Sequence, residues 1–243
     1  MSGHSKWHNI QAKKGKTDAA RANIFTKIGR ENAIADKQGG ADPGLNSRLR
    51  DVIDKAKDNN MPNENISRSI KKASGDLNNV NYENMTYEGY GPGGTALIVE
   101  ALTDNKNRTA GDVRCAFDKF GGSLGATGCV SYMFNKKGVI VVDASSITED
   151  ELMEMAIEAG ADDVTEDGDV FEVYTSQTDF HAVKDSLDSK NVVILSAQID
   201  MIPDNYVELE ENKKNSFFKL IDRLEELDDV QEVFHNAIIE DEE

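Results

Sequence analysis

The hydrophobic period of this chain changes between residues 76 and 84, and that change decides most of what it can fold into. Before it, apolar residues recur at helical spacing; after it, short strand-sized runs alternate with helix-like segments. From Asp18, Ala20, Ile24 and Ile28 recur every four residues, and Gly39-Gly40 supplies a stop. Leu45, Leu49, Val52, Ile53 and Ala56 form a second helical stripe that closes near Asn59-Asn60. A third helix is expected after Met61-Pro62, with Asn63 as a cap, running to Ser74 with Gly75 at its end. Residues 1–17 lack apolar periodicity and form a basic leader, while Asp76–Asn84 is polar and Asn-rich, as a linker would be.

Beyond the linker a strand is expected over Thr95–Leu102, a helix over Arg108–Phe120 and a strand over Cys129–Phe134. Val139–Val142 then opens a new series. A helix at Glu149–Ala159, strands at Asp163–Glu166 and Val170–Thr175, a helix at Asp179–Ser189 and a strand at Val192–Met201 follow. This β-α-β-β-α-β order is the ferredoxin-like arrangement. A last helix, Phe217–Leu227, and a strand near Val233–Ile239 find no partners inside that unit, so they are expected to complete the sheet begun at Thr95. The expected fold is α+β with three domains. Residues 1–76 make a helical domain, 77–137 with 204–243 an α+β domain, and 138–203 a ferredoxin-like domain inserted in it.

Charge is distributed as unevenly as period. Residues 1–76 hold 15 Lys and Arg against 9 Asp and Glu, a net of +6. Residues 77–243 hold 12 against 36, a net of −24, which gives the chain its −18. Whole-chain charge governs solubility, but binding answers to local fields within about 8–10 Å at physiological salt. The basic end is therefore where an anionic partner is expected. No apolar run approaches membrane-spanning length, and Met1–Arg30 has no apolar centre of the kind a signal peptide needs. Cys115 and Cys129 form no C-x-x-C pair, and read as reduced thiols used as small apolar residues in a reducing compartment. A cytoplasmic protein is expected.

Several catalytic and ligand-binding patterns fail on context. Gly15-Lys16-Thr17 resembles the end of a phosphate-binding loop, but Ile10 stands where the first glycine belongs and no strand leads in. Gly89-Tyr90-Gly91-Pro92-Gly93-Gly94 satisfies G-x-G-x-x-G, yet it precedes a strand instead of following one. Two readings of Gly89, Gly91, Gly93 and Gly94 stay open: turn geometry, or backbone contact with a partner. His4 and His8 share a helical spacing without the further ligands zinc requires, so no metal is expected. No nucleophile elbow or Cys–His pair appears, and neither enzymatic activity nor a cofactor is expected.

The basic end has the composition of a binding surface. On the third helix Arg68, Lys71 and Lys72 lie opposite Ile66, Ile70 and Ala73, at the spacing that puts cations on one face. An ordinary solvated face would look the same. On the second helix Arg48 and Arg50 are the better candidates, because Asp51, Asp54 and Asp58 can pair with Lys55 and Lys57. The leader carries Lys6-Trp7-His8 and Lys13-Lys14-Gly15-Lys16, followed by Arg21, Lys27 and Arg30, with Asp18 the one acid in the first thirty residues. Lys13, Lys14 and Lys16 suit phosphate contact. Trp7 suits stacking on a base, and equally suits pinning the leader onto the helices.

Met1-Ser2-Gly3-His4-Ser5-Lys6-Trp7-His8-Asn9-Ile10-Gln11-Ala12-Lys13-Lys14 closely resembles the opening of YebC-family proteins. So do Asp18-Ala19-Ala20-Arg21, Gly39-Gly40-Ala41-Asp42-Pro43, Asn60-Met61-Pro62, Tyr87–Gly94 and Thr103–Thr109, in the same order along nearly the whole chain. The resemblance implies a three-domain α/β protein with the last domain inserted in the second, and a basic leader that belongs to the mature protein. It implies a regulator of gene expression that binds DNA, or a translation factor that contacts ribosomal RNA or tRNA, since the family includes a mitochondrial translational activator. Asn32 and Asp36 stand where relatives mostly carry an apolar and a small residue, which is expected to weaken packing or the local positive field. An adaptor that binds proteins through its acidic domains is the reading from another class.

Overall fold

The computed structural model describes the backbone of residues 18–75 and 81–238, and the side chains of 22–71 and 81–238. Helices α1 (Asp18–Gly39), α2 (Ser47–Asp58) and α3 (Asn63–Gly75) come first. They enclose Ile28, Ala35, Leu49, Val52, Ala56, Met61 and Ile66. Asn46 organises the first corner. Its side chain accepts from the Leu49 N–H at 3.1 Å and donates to the carbonyls of Ala35 and Gly40, each at 2.7 Å. That single amide starts α2 and ties it to the end of α1. Gly39 lies so close that a Cβ there would stand 2.7 Å from Asn46, and Gly40 leaves α1 with φ +82°. Because the cap is Asn46, Leu45 precedes the helix and is 85% exposed. The expected stripe lacks its first member for that reason. Asn32 is fully buried and donates to Ser69 Oγ at 2.9 Å, so α1 and α3 meet there through a polar tie.

The first sheet is antiparallel, in the order β3-β1-β2-β8. It contains β1 (Glu83–Tyr90), β2 (Ala96–Thr103), β3 (Ser123–Leu124) and β8 (Val230–His235), with helices α4 (Lys106–Lys119) and α7 (Glu211–Glu225). Leu97, Val99, Val113, Phe117, Leu220, Leu224, Val230 and Val233 form its core. The strand β1 was not expected. Its run Glu-Asn-Met-Thr-Tyr-Glu-Gly-Tyr alternates only at Met85 and Tyr87, which face the core, yet it pairs with β2 along its length and with β3 at Gly89 and Tyr90. Conversely, the strand expected over Cys129–Phe134 does not form. Residues up to Met133 make turns, and only Phe134 enters a strand.

After Ser131 the chain builds a second compact unit over 132–208, then returns to the first over 209–236. The second unit contains β4 (Phe134–Asp143), α5 (Glu149–Ala159), β5 (Asp163–Asp167), β6 (Val170–Thr175), α6 (Phe180–Ser189) and β7 (Ile194–Pro203). Its antiparallel sheet runs β5-β6-β4-β7, and α5 and α6 cover one face through Ile140, Val142, Leu152, Phe171, Val173, Phe180, Val183 and Leu187. Thr148 and Glu151 form a reciprocal capping box that fixes the first turn of α5. Gly138 lets β4 pass under α6, since a Cβ there would stand 2.5 Å from the Phe180 ring. The protein is α+β: a helical amino-terminal region followed by two sheet-based domains, one inserted in the other.

Candidate nucleic-acid interface

The cations singled out in the sequence divide into three groups. Lys6, Trp7, His8, Lys13, Lys14 and Lys16 lie outside the described residues, as do the side chains of Arg21 and Lys72. Lys27 and Arg30 are turned inward. The last four carbonyls of a helix have no partner in the helix itself and carry partial negative charge. At the end of α7 two of these carbonyls are met by α1: Asn23 Nδ2 donates to Glu225 O and Glu226 O, and Lys27 Nζ donates to Glu225 O at 2.7 Å. Arg30 donates to Asp228 O at 2.7 Å and to Asp229 Oδ1 at 2.5 Å, beneath the ring of Tyr82.

Asp229 is the centre of this inward cluster, and sequence reasoning passed over it. Its other oxygen accepts from Arg108 Nη2 and Thr109 Oγ1, each at 2.7 Å, and from Thr103 Oγ1 at 3.2 Å. Asn105 caps α4 by accepting from the Arg108 N–H at 3.1 Å, and Asp104 holds the outer edge of the Arg108 guanidinium at 2.8 Å. The Thr103–Thr109 motif is thus a clasp around one buried carboxylate. Burial acts to raise the Asp229 pKa, but bonds from Arg108, Thr109 and Arg30 outweigh it and hold it below the usual carboxylate range. The only trace of this in the sequence is the acid pair Asp228-Asp229 just before a strand. A second tie links α2 to β8: Lys55 Nζ lies 2.8 Å from Glu31 and 3.1 Å from Glu232. Burial favours the neutral amine, yet the two carboxylates prevail and raise the Lys55 pKa.

Arg48, Arg50, Arg68 and Lys71 remain exposed. Arg48 donates to Gln38, Arg50 to the carbonyls of Pro43 and Gly44, and Arg68 pairs with Glu64 one turn back at 2.7 Å. Exposed pairs of this kind contribute at most about 1 kcal/mol, so they exchange readily for a phosphate. Helices α2 and α3 are joined by the short connection 59–62, as in a helix-turn-helix. The exposed opening of α3 presents Asn63 and Glu64, and no cation.

The glycine-rich segment is the hairpin turn between β1 and β2. Gly91 donates to Thr95 O at 2.8 Å, and Gly93 and Gly94 both have φ +76°. The strand β2 follows directly, where a dinucleotide site would need a helix amino terminus to receive the phosphate. Gly89 sits within β1, where a Cβ would stand 2.5 Å from Ser123 O, and at Gly91 it would stand 2.6 Å from Leu97. Turn geometry and close packing therefore account for most of these glycines.

Next to this turn, Glu88 is buried and its carboxylate accepts three backbone N–H groups, from Gly128 at 2.8 Å, Val130 at 2.9 Å and Ser131 at 2.8 Å. Burial pulls the Glu88 pKa upward and the three donors pull it below the usual value, the donors prevailing. This carboxylate, and not a strand ladder, fixes the segment expected to be a strand. Glu88→Ala strands three buried donors and is expected to lower stability by about 2 kcal/mol. Hydrogen exchange at Gly128, Val130 and Ser131 should accelerate with it, and protection retained at those amides would refute this role. Cys129 is half-buried beside Glu88, whereas Cys115 is exposed, because the buried stripe of α4 is Thr109, Val113, Ala116 and Phe117. Cys115 is therefore not the small core residue expected. Among the described residues no group of three His, Cys, Asp or Glu is placed to hold a metal ion, and no helix is long and apolar enough to cross a membrane.

The geometry can be set beside known proteins. The model of the TACO1/YebC protein N-terminal domain matches residues 5–76, and that of the TACO1/YebC second and third domain matches residues 82–237. A Clostridium botulinum protein named "Probable transcriptional regulatory protein" is 58% identical over 98% of this chain and 97% of its own. One of the same name from Acetivibrio thermocellus is 57% identical over 97% and 98%. The crystal structure of the conserved hypothetical protein Aq1575 from Aquifex aeolicus superposes with a TM-score of 0.81 at 47% identity, covering 94% of both chains. Helical region, clasp and inserted domain all fall within these matches, and the chain belongs to the TACO1/YebC family.

Proposed function

We propose that this chain is a non-enzymatic, cytoplasmic regulator of gene expression that binds nucleic acid through its basic amino-terminal region. The observation that carries this reading is the segregation of charge, +6 over residues 1–76 against −24 over the rest. Such a field draws a phosphate backbone to one end and repels it from the other. The names of relatives above half identity support a regulatory role. Arg48, Arg50, Arg68 and Lys71 add exposed cations on the helices, while Lys27 and Arg30 hold the protein together.

A second reading, a ribosome-associated translation factor that contacts ribosomal RNA or tRNA, is favoured by one observation. Glu64 is exposed where a recognition helix would enter the major groove, and the Arg68 of that helix is paired with it. A carboxylate at that place opposes groove entry but tolerates shape-based contact with folded RNA. Sedimentation with ribosomes at low and moderate salt, beside a nuclease-treated control, separates the two. Leader-dependent co-sedimentation at moderate salt assigns the protein to translation. Absence from ribosomes with sequence-selective retention of duplex DNA against competitor assigns it to transcription. Failure to bind either sinks the proposal.

A further inference from the structure

The acidic part of the chain contains one basic layer. Of the 12 Lys and Arg in residues 77–243, eight stand on α4 and α7, beside five of the 36 Asp and Glu. These two helices carry a net +3 and the rest of that stretch a net −27. They pack side by side, each with a buried stripe: Thr109, Val113, Ala116 and Phe117 on α4, and Phe217, Leu220 and Leu224 on α7. The start of α4 meets the end of α7, since Arg108 and Asp112 line one cleft with Glu226 and Leu227. The helices therefore run antiparallel, and helical spacing continues those flanks along the groove between them. On α4 it places Cys115 and Lys119 in the row of Arg108 and Asp112. On α7 it places Arg223, Lys219 and Ser216 in the row of Glu226.

The two ends of the groove differ. Asp112 and Glu226 stand by the clasp around Asp229, and beyond them come Lys119, Lys219 and Arg223, with Lys213 exposed at the opening of α7. Asp118 and Asp222 fall on the outer sides of their helices, away from the groove. Arg223 is paired with Glu226 at 3.4 Å and Lys119 lies over the Phe120 ring at 5.3 Å, exposed contacts that a phosphate can replace. Lys219 has no ion pair among the described residues. Phe218, the exposed large hydrophobic of α7, is on the flank away from α4. The centre of a protein–protein interface is rich in aromatic and apolar side chains, whereas a phosphate backbone is held by Lys, Arg and small hydroxyl groups. The groove has the second composition. From Arg108 to Lys119 it extends about 16 Å, room for several phosphates at about 3.4 Å of axis each.

We propose that the groove between α4 and α7 is a second phosphate-contact surface, which takes the backbone of the nucleic acid bound by the amino-terminal region. This surface deepens the proposed function and rests on it. Arg30 of α1 and Arg108 of α4 share the Asp229 carboxylate, and the groove belongs to the same compact unit as helices α1–α3. One backbone thus meets cations on both, while a net −14 is carried by residues 132–208, in the other unit.

Cys115, exposed midway along the α4 side, reports on the groove in the unaltered protein, and half-buried Cys129 is the internal comparator. Alkylation by N-ethylmaleimide is read at each cysteine by peptide mass mapping. At Cys115 a duplex or single-stranded oligonucleotide should slow it about threefold or more at low salt, an effect that fades as salt rises. The rate at Cys129 should not change. Lys119→Ala with Lys219→Ala should remove the protection and lower the salt slope of duplex binding by about 1.8, with the circular dichroism spectrum unchanged. Lys13, Lys14 and Lys16 replaced by alanine should lower the slope separately, and the two sets should add. Binding that persists with Cys115 unprotected, and with a slope unmoved by Lys119→Ala and Lys219→Ala, overturns the groove and leaves the amino-terminal reading standing. No binding of either oligonucleotide overturns both. Cys115 protected by rising protein concentration alone, without nucleic acid, also overturns the proposal and assigns the groove to the acidic inserted unit of a second copy.

Discussion

Asp229→Ala is expected to destabilise the unit that joins the helices to the first sheet by about 3–5 kcal/mol, the largest effect of any single polar substitution described here. The reason is geometric. One carboxylate, 6% exposed, gathers α1 through Arg30, α4 through Arg108 and Thr109, and β2 through Thr103. Removing it leaves Arg30, whose side chain is 16% exposed, without its anion in a place water barely reaches. Asp229→Asn keeps an acceptor but not the charge and should cost roughly half as much. In the double variant Arg30→Ala with Asp229→Ala the costs should not add, because the stranded charge is gone. Urea unfolding followed by circular dichroism measures all three; a change below about 1 kcal/mol for Asp229→Ala would reduce the clasp to an ordinary surface pair. The pH dependence has a definite sign. The folded-state pKa of Asp229 is depressed, so its contribution is present above the unfolded value, near 3.9, and is lost as pH falls through the folded value. Acid unfolding of the wild type should therefore begin below about pH 4, and the variant should lack that component.

The elements legible in the sequence were those whose signals are local. Gly39-Gly40 announces the end of α1, and the apolar runs of β4 and β6 need no partner to be recognised. What was missed depends on distant residues. The strand β1 shows only Met85 and Tyr87 as alternating core residues, too short a run to mark a strand, and its buried Glu88 is explained only by the 128–131 backbone it holds. The strand expected over Cys129–Phe134 fails for the same reason, since those amides are taken by a carboxylate about forty residues earlier. Leu45 carried the right hydrophobicity for a helix stripe, but the cap fell one residue later at Asn46. Among the candidate cations, charge alone could not separate Lys27 and Arg30 from Arg68 and Lys71. All are basic residues on helices, and only the position of the α7 carboxyl end and of Asp229 turns the first two inward. Local spacing thus identifies which helix face is polar, and tertiary packing decides whether that face meets solvent or protein.

That separation sets up a contrast in binding. Lys13, Lys14 and Lys16 replaced together by alanine should reduce the salt dependence of duplex binding by about 2.7 in logarithmic slope, 0.9 for each phosphate no longer neutralised. At about 0.1 M salt the same variant should bind on the order of 100-fold more weakly, because each lysine–phosphate pair contributes through counterion release. On single strands the slope should fall by nearer 2, as each pair there releases about 0.7. Lys27→Ala should leave the slope unchanged and lower stability instead, since its ammonium serves the carbonyl of Glu225. Arg68→Ala together with Lys71→Ala should fall between, removing two exposed charges while the fold persists. Titration of a labelled oligonucleotide at several salt concentrations reads all of these as slopes. A slope unchanged by the three leader substitutions but reduced by the pair on α3 would move phosphate binding from the leader to that helix. A slope unchanged by both would leave the positive end of the protein without a phosphate partner, and the charge segregation without the role assigned to it.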